Sequence, residues 1–256
     1  MLTPSFPPSP SAAAFAACVA LGFTVEAAIG FGGTLISVGL GVFFLPLADV
    51  LAIFLPLNLL LSFTMVLRTR KSIDVRFLVG RMLPFMALGI PMGLYASARV
   101  PASPLKRALG IFLLLFSMRE LFSKARPATR DEDAATRTPS RSAPILLVLG
   151  GIFHGAFATG GPLAVFVASK QLRDKAVFRS TLTALWLLLN LVVVATYCVQ
   201  GTLNSATLRA SAFLLPVLVL SIALGEWLHR RVPAAKFRLA IQLLLLSIGL
   251  SLTLRG

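Results

Sequence analysis

Apolar residues gather into ten blocks along the chain, roughly 12–29, 34–47, 50–67, 77–98, 105–122, 143–158, 162–170, 177–199, 208–229 and 236–254. Most approach the ~20 residues that a helix needs to cross a bilayer. Period-two alternation is absent and Leu/Ala runs dominate, so the pattern predicts spanning helices and not barrel strands. Two blocks, 34–47 and 162–170, are too short to span comfortably. Each follows a glycine break, Gly30-Phe31-Gly32-Gly33 in one half and Gly160-Gly161-Pro162 in the other. The polar stretch 123–142 carries charges of both signs and predicts a surface linker, while the Pro- and Ser-rich 1–11 predicts a disordered tail. That tail has no basic segment, so no cleavable signal peptide is expected.

The matching breaks point to an internal repeat. At an offset of 128, Gly22, Glu26, Gly32 and Gly33 fall on Gly150, His154, Gly160 and Gly161. At an offset of 132, Asn58 falls on Asn190, Leu83-Pro84 on Leu215-Pro216, Gly93 on Gly225, and Arg99-Val100-Pro101 on Arg231-Val232-Pro233. The offset changes by about one helical turn. Leu-on-Leu matches carry little weight in such a sequence, but Asn, Pro and Gly in register do. The repeat units are 12–122 and 143–254.

Composition fixes the solvent. The chain is 57% hydrophobic and 13% charged, against ~25% charged in a soluble domain. An all-α polytopic membrane protein is the class that fits. The formal net charge of +15 sits in short clusters between apolar blocks, as topology signals do, so nucleic acid is not an expected partner; the lipid bilayer is. Cys18 and Cys198 both lie in apolar blocks and read as small core residues.

Loop charge also orients the halves. Five crossings per half make the second half inverted, whereas a non-crossing short segment leaves four and makes the halves parallel. With the uncharged N-terminus outside, five crossings put 68–76, the linker 123–142, 170–179 and 229–238 inside, all of them basic, and the nearly uncharged 200–208 outside. One loop disagrees: 99–107, with Arg99, Lys106 and Arg107, falls outside. The expectation is two inverted repeats of about five membrane segments, each with a short glycine-broken helix, and a cytoplasmic linker.

Matched Gly/Pro-interrupted segments in two halves point to a transporter's binding site. A helix restarting after glycines presents unpaired N–H groups and a positive dipole end to an anion. The candidate substrate-binding residues are Gly30, Gly32, Gly33, Thr34, Asn58, Thr159, Gly160, Gly161, Pro162 and Asn190. Pro162 suits a first helical position, and the threonines add hydroxyl donors. Glycines that only let helices pack closely are the plainer account. Glu26 and His154 hold equivalent places one turn before the breaks, and intramembrane Glu and His are recurrent proton carriers, so they are the proton-coupling candidates. Hydrogen bonding to a neighbouring helix is the alternative for both. Arg81, Arg119, Glu120 and Glu226 sit near span ends, where snorkelling or local pairing accounts for them. Arg179 reads first as a topology anchor.

The segments G-F-G-G-T-L at 30–35 and F-H-G-A-F-A-T-G-G-P-L at 153–163 resemble the paired signatures of the sulfite exporter TauE/SafE family. So do the basic loop with its Asp at 68–76 and the F-R-S-T run at 178–181. The resemblance extends over about 12–254 and implies transport, often export, of small organic or sulfur-containing anions such as sulfite or a sulfonate across a bacterial inner membrane. T-G-G-P lacks a glycine that many members carry, and Glu26 is not a general feature of the family. No G-x-x-x-x-G-K-[ST] run is present, so the energy source is a proton, ion or substrate gradient. The competing class is an intramembrane enzyme acting on a lipid-linked substrate. Against it, only His154 and His229 are available as histidines, and no H-E-x-x-H spacing occurs. A non-transporting scaffold subunit is the third reading. No cofactor or metal is expected, and a homodimer is left open.

Overall fold

A computed structural model describes residues 10–29, 32–123, 142–172, 174–231 and 234–255. The expected tail and linker lie almost wholly outside these residues. The described chain is helical without strands: α1 Pro10–Ile29, α2 Gly33–Gly41, α3 Leu47–Thr69, α4 Val75–Arg99, α5 Ala102–Ser123, α6 Ala143–Phe157, α7 Gly161–Ser169, α8 Lys175–Val199, α9 in two stretches, Ser205–Phe213 and Leu215–Arg231, and α10 Ala234–Arg255. Among the described residues, five segments are long and apolar enough to cross a membrane. α5 has the length, but Lys106, Arg107, Arg119 and Glu120 interrupt its apolar character. Large apolar side chains face outward on many helices, among them Phe213, Leu220, Leu254 and Phe122, the surface that a hydrocarbon solvent accepts. Cys18 is buried as expected; Cys198 is exposed.

Both repeat-related prolines mark a helix irregularity. A π turn, Leu78–Met82, precedes Leu83-Pro84 in α4, and the break at Leu214 precedes Leu215-Pro216 in α9. Proline has no N–H to donate and its ring crowds the carbonyl four residues back, so each helix adjusts its ladder just upstream.

The short helices do not continue their predecessors; they fold back along them. A Cβ on Gly33 would lie 2.8 Å from Glu26 Cβ, and one on Gly41 would lie 2.9 Å from the Phe15 ring, so α2 runs antiparallel to α1. α7 returns along α6 likewise, with Gly160 against Gly150 and His154. Each half thus opens with a helical hairpin whose tip is the break.

The halves interlock reciprocally. α1 packs on the second stretch of α9, and α6 packs on the residues of α4 from Leu83 onward. α3 packs on α8, and α5 on α10. The α4–α6 crossing is parallel: Gly89 faces Val148 and Ile152, and Gly93 faces Ile152 and Ala156. Gly151 and Gly155 in turn face the carbonyls of Met86 and Ile90, a backbone approach that leaves no room for a Cβ. The two pairs joining equivalent helices are antiparallel. Ser180 Oγ donates to the Ser72 carbonyl at 2.6 Å and the Asp74 N–H donates to Thr181 Oγ1 at 2.9 Å, while Asn58 meets Asn190. In α5–α10, Gly110 lies against Gly249 and Thr253, and Leu114 against Gly249.

Candidate functional site

The hairpin tips converge on the antiparallel pair α3–α8. α2 begins after Gly32, which adopts φ 93° and ψ −11°, a left-handed conformation open to glycine without penalty. α6 ends on Ala158 at φ 53° and ψ 24°, whose N–H donates to the His154 carbonyl at 2.7 Å. A left-handed alanine is strained by about 1–2 kcal/mol, and its partner at the offset of 128 is Gly30. α2 and α7, nine residues each, start without any side-chain cap, so their first-turn N–H groups are left for other partners. Pro162 occupies the first turn of α7, as its ring geometry favours.

A cavity of about 30 Å³ lies between these tips. Glu26, Gly32, Thr34 and Asn58 line it from the first half, and His154, Thr159, Gly161 and Asn190 from the second. The hydrogen bonds form a line across it. Asn190 Nδ2 donates to Asn58 Oδ1 at 2.8 Å, and Asn58 Nδ2 donates to both carboxylate oxygens of Glu26 at 3.2 Å. His154 lies beside Asn190 at the far end. All four side chains are buried. Four polar positions here have no hydrogen-bond partner: both ring nitrogens of His154, Thr159 Oγ1 and Asn190 Oδ1. Buried polar atoms are normally paired, so four unpartnered positions among residues lining one cavity stand out from the rest of the described core.

Of the sequence candidates, Gly33 and Gly160 stand behind the cavity and make room for Glu26 and His154 respectively. Pro162 is turned away, into an apolar groove with Phe112 and Phe166. Gly30 lies outside the described residues. Trp186 and Ala158 line the cavity without having been singled out. The Trp186 ring stacks on His154, centroids 6.0 Å apart and planes 15° apart. Its repeat partner at the offset of 132 is Phe54, which stacks on Phe23 at 4.9 Å; the recurring aromatic was the available signal.

The chain is 27% identical over 176 residues to the probable inner membrane transporter protein TsaS of Comamonas testosteroni, covering 68% of this chain and 71% of that protein. No solved structure matches it. The model of the family described as sulfite exporter TauE/SafE matches residues 14–252, nearly the whole chain. The protein belongs to the sulfite exporter TauE/SafE family, and is therefore a multi-pass membrane transporter and not an enzyme.

Proposed function

We propose that this protein is a secondary transporter that exports a small sulfur-containing or organic anion, such as sulfite or a sulfonate, across the bacterial inner membrane. The anion is held where the two hairpins meet, and Glu26 or His154 carries a coupled proton. The observation that carries this reading is the set of unpartnered buried atoms on His154, Thr159 and Asn190, facing one cavity beside two uncapped helix starts. Thr159 Oγ1, helix N–H groups and an imidazole N–H are all anion donors. Glu26 and His154 are the ionisable side chains on the cavity wall, so proton uptake and anion binding meet in one place.

Inverted repeats are the topology we infer. Equivalent helices α3 and α8 run antiparallel, as do α5 and α10. A twofold axis in the membrane plane produces that relation, and an axis along the membrane normal would make them parallel. Such an axis passes between Asn58 and Asn190, which supports a midplane site. The hairpins reconcile the short helices with the loop charges: a hairpin, like two crossings, ends on the side where it began. The three long helices of each half then invert the second half, keeping 68–76 and 170–179 together inside with the linker.

About 30 Å³ holds roughly two water-sized groups, so an anion of several heavy atoms enters only as the hairpins separate. The test is sulfite flux in proteoliposomes under an imposed pH gradient. Wild-type protein is expected to show gradient-dependent flux, and Glu26→Gln or His154→Ala to lose the pH response. Flux with an undiminished pH response in both variants would remove the coupling proposal, and no flux of any sulfur oxyanion would remove the substrate class. Reporter fusions that place 68–76 and 170–179 on opposite sides would overturn the topology.

A further inference from the structure

A second cavity, of about 280 Å³, lies between α3 and the second stretch of α9. Arg68 from the end of α3, Arg179 from the first turns of α8 and Glu226 from α9 line it, with Ala27 and Leu61 deeper in. Ala27 follows Glu26 in the chain, and Leu61 stands about one turn beyond Asn58. Two residues that line this cavity are thus near neighbours along the chain of two that line the central one. Among the described residues none of the three charged groups is in an ion pair.

The repeat-related seam differs. At the offset of 132, Gln200 replaces Arg68, Leu47 replaces Arg179, Leu94 replaces Glu226 and Tyr197 replaces Met65. There α8 packs on α4 and Tyr197 is buried. The three charged residues are thus confined to one of two equivalent places, the one at the basic-loop end.

We propose that this cavity is the vestibule through which the anion reaches the central site, with Arg68 and Arg179 as a staging site for a small oxyanion. The inference rests on the reading of the central cavity as an anion site. Two guanidinium groups offer planar forks that match sulfite, sulfonate or phosphate oxygens. Glu226 leaves the vestibule with one net positive charge, enough to draw an anion in without trapping it, as a conduction path requires. The same pair would also hold the phosphate of an anionic lipid, and the experiment separates the two.

Sulfite flux is measured in proteoliposomes across a range of inert salt, after thermal unfolding in detergent confirms that the variants fold. The double variant Arg68→Gln/Arg179→Gln is expected to raise KM roughly tenfold, in the range of electrostatic steering, with kcat nearly unchanged. It should also lose the salt dependence of KM, which a merely structural role would not remove. Arg68→Lys/Arg179→Lys should recover that salt dependence. A wild-type KM and salt slope in the double Gln variant overturns the vestibule. A defect present in liposomes containing phosphatidylglycerol and absent in pure phosphatidylcholine assigns the site to lipid, and overturns it too. Asn58→Leu and Asn190→Leu, assayed alongside, report on the central site: full activity in both would refute that reading separately.

Discussion

Asn190 Nδ2 donates a 2.8 Å hydrogen bond to Asn58 Oδ1, and the two residues are each other's repeat equivalents, 132 positions apart. A bond between sequence equivalents joins the halves, but it is not itself symmetric. Asn58 goes on to donate to Glu26, whereas Asn190 Oδ1 has no partner. The two amides hold matching positions in the sequence, and Glu26 at one end against His154 at the other makes their bonding unequal.

The unequal bonding predicts unequal losses. Asn58→Leu leaves both Asn190 and Glu26 without a partner in a buried setting, and is expected to destabilise by about 2–4 kcal/mol, since each orphaned group costs about 1–3 kcal/mol. Asn190→Leu orphans the Asn58 carbonyl oxygen and takes the amide away from His154, and should cost less than Asn58→Leu because no carboxylate loses its donor. In a double-mutant cycle read by thermal unfolding in detergent, the two losses should fall short of additivity by about 1 kcal/mol or more. Additive losses would show that the bond does not couple the halves.

Much of this was legible in the residues. The apolar blocks located nearly every helix, and the offsets of 128 and 132 paired Glu26 with His154 and Asn58 with Asn190 before any contact was known. Hairpins were not legible, because block length separates long from short but does not say whether a short helix goes on or turns back. Ala158 was not legible for a related reason: alanine gives no sequence signal for a left-handed conformation, yet it adopts one at the place matching Gly30. Trp186 was hidden among leucines, where an aromatic reads as lipid-facing bulk.

The strain at Ala158 is testable by relieving it. Ala158→Gly removes a Cβ that opposes φ 53°, and should stabilise the protein by about 1 kcal/mol. The measurement is the shift in unfolding temperature in detergent. A fall in stability would mean that the alanine methyl, which lines the cavity, contributes more by packing than the backbone loses.

The motifs at 68–76 and 178–181 meet in space. Thr181 accepts from the Asp74 N–H at 2.9 Å, and Asp74 Oδ1 in turn accepts from the Phe77 N–H at 2.9 Å to cap the start of α4. Thr181→Val keeps the shape and removes the acceptor, so it should cost about 1–2 kcal/mol, while Thr181→Ser should keep most of the stability. Equal stability of the valine and serine variants would dismiss the contact as incidental.

The two glycine breaks resemble one another in sequence, but their surroundings differ, and so should their tolerance. A Cβ on Gly33 would fall 2.7 Å from the Gly22 carbonyl and 2.8 Å from Glu26 Cβ. Gly33→Ala must push α2 away from α1, or displace the carboxylate that Asn58 holds. On Gly161 the nearest atoms are those of the Trp186 ring, at 3.8 Å, an ordinary contact. Gly161→Ala should therefore keep nearly the wild-type stability, its methyl standing in the cavity, while Gly33→Ala should cost about 1–3 kcal/mol, as overpacking does. Thermal unfolding in detergent decides it. Equal stability of the two variants would mean that the α1–α2 hairpin yields to a Cβ at Gly33 without strain.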